Sequence, residues 1–161
     1  MLSDFRITAG PLRASRSTRA FYKSKGTSLA TKQGYRYENR VGKELQLHVS
    51  QGHFKRLEHN PWFTFNDVFG VSNCCPDFLL WSSNDVITIV EVKLTWVEEA
   101  SHKLTDLYCP VIATALDRPV SPLIICRNLA KLSPPAQTSL RDALASPFKL
   151  LQWPDNGHIL W

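Results

Sequence analysis

Residues 76–93 read PDFLLWSSNDVITIVEVK. Two apolar runs, 77–81 and 86–92, flank the turn-forming Ser82-Ser83-Asn84-Asp85, the pattern of a β-hairpin with a short loop. Side chains alternate across a strand, so Glu91 and Lys93 fall on one face and Val92 on the other. Strands that pair about a turn near Asn84 bring Asp77 opposite the end that carries Glu91 and Lys93. Two acids and an ammonium then meet at one edge of a sheet. Paired carboxylates repel unless a cation lies between them, and hard oxygen donors favour Mg²⁺ or Mn²⁺. Such an ion neutralises charge that grows on a phosphate. A neighbouring lysine orients the attacking water or steadies the pentavalent phosphorus. The competing reading of these residues is a half-buried hairpin with polar groups at its strand ends.

Pro76-Asp77 followed by Glu91-Val92-Lys93 on the next strand resembles the PD-(D/E)XK nuclease superfamily. The resemblance implies an α/β, restriction-endonuclease-like αβββαβ core, a mixed central β-sheet flanked by helices, and metal-dependent phosphodiester hydrolysis. It also implies Asp77, Glu91 and the main-chain carbonyl of Val92 as metal ligands, Lys93 as the catalytic lysine, and an acid on an upstream helix. Residues 35–49, YRYENRVGKELQLHV, have helical spacing, with Glu38 one turn before Val41 and two before Leu45. Glu38 therefore takes the helix-acid role, catalytic and towards a metal; its rival Glu44 lacks an apolar partner at the second of those offsets. The Gln that RecB-like members carry four residues before a Tyr is replaced here by Leu104, ahead of Tyr108, which argues against that processive subgroup.

The 161-residue chain has a formal net charge of +5 and is long enough to bury a core without staples. No apolar stretch approaches bilayer length. No secretory h-region opens the chain, so a cytoplasmic location without membrane contact is expected. Cys74, Cys75, Cys109 and Cys126 have no CxxC spacing and are expected to be reduced. Charge is unevenly spread: up to Lys43 there are ten Lys and Arg against Asp4 and Glu38, and beyond it nine against twelve acids. Residues 1–33 read as a basic, flexible arm, and 34–161 as one nuclease domain. Arg13, Arg16, Arg19, Lys23, Lys25, Lys32, Arg36, Arg40 and Lys43, with Lys103 further on, are the candidate nucleic-acid contacts, since cations that neutralise phosphates release counterions. A solvated tail is the bland alternative.

Elsewhere the pattern predicts short extended pieces at 53–57 and 61–65, a turn at 70–73, and Asp67 in a loop near the site. A helix is expected over 96–108, capped by Thr95 with Glu98 completing a capping box, and a continuation over 111–116 after a kink at Pro110. A buried strand at 121–127 follows, then a helix opened by Pro134-Pro135 and running to Ala145, a strand at 148–153 and a hairpin through Asn156-Gly157 into 158–161. The functional expectation is a metal-dependent DNA endonuclease of phage or mobile-element type, selective for branched DNA and similar to Holliday-junction resolvases, which act as homodimers. The rivals are a transposase or recombination-complex endonuclease subunit, a silent nucleic-acid-binding module of the same fold, and a protein-interaction subunit.

Overall fold

The computed structural model describes residues 11–20 and 26–161. The hairpin is present: β5 (Phe78–Trp81) and β6 (Ile87–Thr95) run antiparallel with Phe78 opposite Val90. Asp85, in the left-handed region at φ 63°, lets the chain reverse, and Ser82 N–H donates to Val86 O at 3.0 Å. In chain order the elements are β1 (Arg13–Arg16), α1 (Leu29–Ser50), β2 (Arg56–His59), β3 (Phe63–Asp67), β4 (Gly70–Cys74), β5, β6, α2 (Glu98–Lys103), α3 (Cys109–Leu116), β7 (Val120–Asn128), α4 (Leu140–Ala145) and β8 (Leu150–Gln152). A five-stranded mixed sheet has the order β2-β5-β6-β7-β8, with β6, β7 and β8 parallel, and β1, β3 and β4 form a smaller antiparallel sheet. The fold is thus α/β, a mixed sheet flanked by helices.

Alternation along the strands divides the core. Phe78, Leu80, Val90, Val92, Leu123 and Ile125 pack with Tyr37, Val41 and Leu45 of α1 and with Leu140 and Ala143 of α4. Leu79, Ile87, Ile89 and Ile124 pack on the other side with Ala100, Leu104, Val111 and Ile112, and with Phe63 and Phe65 of the small sheet. Side chains at 91 and 93 inherit the face of Ile89.

Several expectations are corrected. Strand β1 lies inside the segment read as a flexible arm, pairing Arg13 with Asn66 and Arg16 with Phe63. Helix α1 starts six residues before Tyr35, because Ser28 Oγ accepts from Thr31 N–H and caps it there. Gly34 is tolerated inside the helix. Residues 70–73 are strand rather than turn; the reversal lies between Asp67 and Gly70, where Asp67 Oδ1 accepts from Phe69 N–H at 2.8 Å. Thr95 caps nothing: it stays in β6 opposite Asn128, so α2 begins after Val97 without a side-chain cap. Between α2 and α3, Leu104–Tyr108 forms a π-helical turn. Pro110 has no N–H and its ring crowds the carbonyl four residues back, so the turn before it widens.

Pro134-Pro135 does not open a helix either. Bridges Gln137–Leu151 and Ser139–Leu160 hold that stretch extended until Ser139 caps the short α4. The expected C-terminal hairpin is absent: Ile159 N–H donates to Glu44 at 2.8 Å and Leu140 N–H to Leu160 O at 2.7 Å, docking the segment on α1 and α4. All four cysteines are free. No described helix is long and apolar enough to cross a membrane.

Arg16 joins the two sheets, its guanidinium forming a fork with the Glu58 carboxylate at 2.7 and 2.8 Å. Burial alone would push the Glu58 carboxyl up; Arg16, Trp81 Nε1–H and Arg56 outweigh it and hold the group below its ordinary value of 4.5. A carboxyl with a depressed folded-state value stabilises the fold above its unfolded value and loses that contribution as pH falls through the folded one. Thermal melts should therefore separate Glu58→Gln from wild type at pH 7, and the gap should narrow as pH falls below the ordinary value of 4.5. A gap that is constant with pH would rule out this ion pair as a stabilising contact.

Candidate active site

The end of β5 and the C-terminal half of β6 converge as the register requires. Asp77, one residue before β5, accepts through Oδ2 from the Val92 N–H at 2.8 Å. Asn60 N–H donates to the Asp77 carbonyl at 2.9 Å, fixing the same residue from the β2 side. Lys93 Nζ lies 2.9 Å from Glu91 Oε1, as two residues apart on one strand face allow. Glu91 is only 2% exposed. Asp77, Val92, Lys93 and Glu38 line one cavity of about 450 Å³, whose helix wall also includes Gly34 and Tyr35. The tight hairpin and the approach of α1 to the sheet produce this arrangement.

Two residues were not placed by the sequence. Lys103, the last residue of α2, has its ammonium 3.6 Å from Glu91 Oε1 and 4.9 Å from the centre of the Tyr108 ring. It thus reaches the site rather than standing on an outer face. His59 Nε2 lies 2.9 Å from Glu38 Oε1, and its ring stacks on Phe78 at 4.6 Å. The expectation of strand at 53–57 ended two residues short of His59, so its neighbours in the sheet were not seen. Lys103 had a signal, an ammonium at the end of an amphipathic helix that follows the strand of Glu91. Glu44, by contrast, pairs with His158 at 3.0 Å at the other end of α1, which removes it as a rival to Glu38.

The surrounding acids favour the charged form of Lys93. Burial alone would lower the Lys93 value, but the charge and hydrogen bond of Glu91, then Asp77 and Glu38, outweigh it and hold it above the ordinary lysine range. Burial raises the Tyr108 hydroxyl far above its ordinary range, and the charges of Glu91 and Asp77 add to this. It remains a neutral donor, bonded to Cys75 O at 3.2 Å. Cys74, close by, is pushed up to about 12, chiefly by burial, and is not a thiolate nucleophile.

Among the described residues no group of three or more His, Cys, Asp or Glu side chains comes together as a metal site. Glu38 is turned to His59, so the three acids do not form one ligand cluster. The donors suited to a divalent ion are fewer: Asp77, the Val92 carbonyl, and Glu91, whose Oε2 is buried with no hydrogen-bond partner among the described residues. An interior carboxylate oxygen left unmatched is costly. A hard cation is the chemistry that satisfies it, and Mg²⁺ needs only one or two protein carboxylates.

Of the proposed nucleic-acid contacts, Arg13, Arg19, Lys32, Arg36 and Lys43 are exposed. Arg16 is committed to Glu58, Arg40 to Asp155 at 2.7 Å and Lys103 to Glu91. Lys23 and Lys25 lie outside the described residues. Compared with protein-family models, with curated proteins and with solved structures, the chain matches none.

Proposed function

We propose that this chain is a divalent-metal-dependent nuclease of PD-(D/E)XK type that hydrolyses phosphodiester bonds in DNA, an endonuclease selective for branched structures. The observation that carries the reading is the buried Glu91 carboxylate, with one oxygen on Lys93 and the other without a hydrogen-bond partner among the described residues, behind the cavity that Asp77 and Lys93 line. An ion pair built only for stability has no need of an orphaned buried oxygen. The αβββαβ reading gains support from the parallel β6 and β7 joined through α2 and α3, and from α1 packed across β6.

Each residue then has a task. Asp77 and Glu91 hold Mg²⁺ or Mn²⁺ together with the Val92 carbonyl, and the bound ion supplies charge neutralisation at the phosphate. Lys93, kept protonated by its acidic neighbours, orients the attacking water and donates to the developing charge on phosphorus. Glu38, oriented by His59, accepts from that water on the helix side of the cavity. Lys103 shares the Glu91 charge and keeps that side chain in place.

The test is plasmid nicking with Mg²⁺ or Mn²⁺, followed by duplex, flap, fork, single-stranded and four-way substrates. Nicking that needs a divalent ion and is strongest on branched DNA is expected; plasmid left intact under every metal condition would sink the enzyme reading. A second reading, an endonuclease subunit of a transposase or recombination complex, draws on the β3–β4 tip, where Val68, Phe69 and Val71 are 61%, 65% and 70% exposed.

A further inference from the structure

The acid cavity is not the only concave surface on α1. A second cavity of about 450 Å³ is lined by Arg36, Arg40 and Lys43 of α1, Arg127 of β7 and Asp155. Its charges are unequally matched. Asp155 is taken by Arg40, through Nε at 2.7 Å and through Nη2 to the Asp155 carbonyl at 3.0 Å. Arg36, Lys43 and Arg127 make no ion pair among the described residues. Three cations around an open cavity repel one another, and an anion in their midst relieves that repulsion.

The position of this cavity indicates which anion. Helix residues advance by about 100° each, so Gly34 and Glu38 on the acid cavity and Arg36 and Arg40 on the basic one occupy opposite flanks of the same half of α1. The exposed face between them carries Lys32, with Asn39 and Lys43 at the rim of the basic cavity, and no acid. Arg127 stands at the same end of the parallel strands as Lys93, since Lys93 pairs with Cys126.

We infer that the basic cavity is a phosphate-anchoring site for the nucleic-acid strand whose scissile phosphate enters the acid cavity, a reading that rests on DNA being the substrate. The strand crosses the outer face of α1. A helix with its side chains is about 10 Å across, which matches about three base pairs of rise along a duplex axis at 3.4 Å each. Phosphates rather than bases are read there, because guanidinium and ammonium groups at a cavity rim match phosphate oxygens without regard to sequence.

The test is the salt dependence of DNA binding by the full chain, without divalent ions, followed by fluorescence anisotropy on single-stranded and duplex oligonucleotides. The double variant Arg36→Ala/Arg127→Ala is compared with Arg118→Ala, an exposed arginine at the opposite end of β7. The double variant should lower the slope of log affinity against log salt by about two, on every sequence alike, and Arg118→Ala should leave it unchanged. Unchanged slopes in the double variant overturn the proposal. So does a loss of binding to inorganic phosphate or to polyglutamate with DNA affinity intact, which would point to a small anion or an acidic protein. No cleavage enters the measurement, so intact plasmid in the nicking assay and an unchanged slope are separate failures.

Discussion

Replacing Lys93 with methionine is expected to lower metal-dependent DNA cleavage by about 10²–10³-fold, the usual cost of losing one donor aimed at developing charge. Methionine keeps much of the aliphatic stem, so the packing beside Val92 survives. Glu91 is not abandoned either, because Lys103 remains within 3.6 Å of the same oxygen. Melting temperature and DNA affinity should therefore stay close to wild type while turnover collapses. Lys103→Met is the matched control, removing the other ammonium on Glu91 at a smaller cost in rate. If Lys103→Met abolishes cleavage and Lys93→Met does not, the catalytic lysine has been placed on the wrong element. Since its acidic neighbours raise the Lys93 value, the ammonium persists at higher pH than an ordinary lysine. In the metal-free protein the Lys93 ammonium should therefore show no titration between about pH 7 and 9 by NMR.

The largest effect on stability is expected from Phe78→Ala, about 3–5 kcal/mol, as for other buried phenylalanines. Phe78 is 1% exposed, faces α1 from β5, and carries the His59 ring on its own. For a chain of this size that corresponds to a fall in Tm of about 6–20 °C. The contact has a counterpart on the helix: a Cβ added at Gly42 would lie 3.0 Å from Cε1 and Cζ of Phe78. Gly42→Leu should thus overpack the interface by about 1–3 kcal/mol. The two changes act on one gap, so the double variant should be more stable than the sum of the single effects, with a coupling of about 0.5–3 kcal/mol. Simple additivity in calorimetry would refute close packing of α1 on β5 at this point. Because Asp77 adjoins Phe78 and Glu38 precedes Gly42 by one turn, both single variants should also loosen the cavity between them.

The hairpin and the placement of its polar residues were legible because they depend on neighbours in sequence. Alternation alone sets Glu91 and Lys93 on one face, and a turn at 82–85 sets Asp77 against them; both hold in the structure. Helical spacing separated Glu38 from Glu44 only weakly, since Leu47 follows Glu44 as Val41 follows Glu38; the contact of Glu44 with His158 separates them in the structure. Strand limits, caps and short helices were harder to read, since competing long-range bonds settle them. Thr95 has the chemistry of a cap but is claimed by Asn128, and Pro134-Pro135 has the chemistry of a helix start but is followed by Gln137, which bridges to Leu151.

Local pattern was thus sufficient for the α/β class, the central hairpin and the acid–acid–lysine set, because periods of two and 3.6 are properties of the backbone. It was silent on partners distant in the chain. That Lys103 shares Glu91, that His59 orients Glu38, that Arg16 is spent on Glu58, and that Arg127 joins the basic ridge of α1 all depend on which elements pack together. Such packing is chosen by shape and burial across the whole core, and no window of sequence contains it.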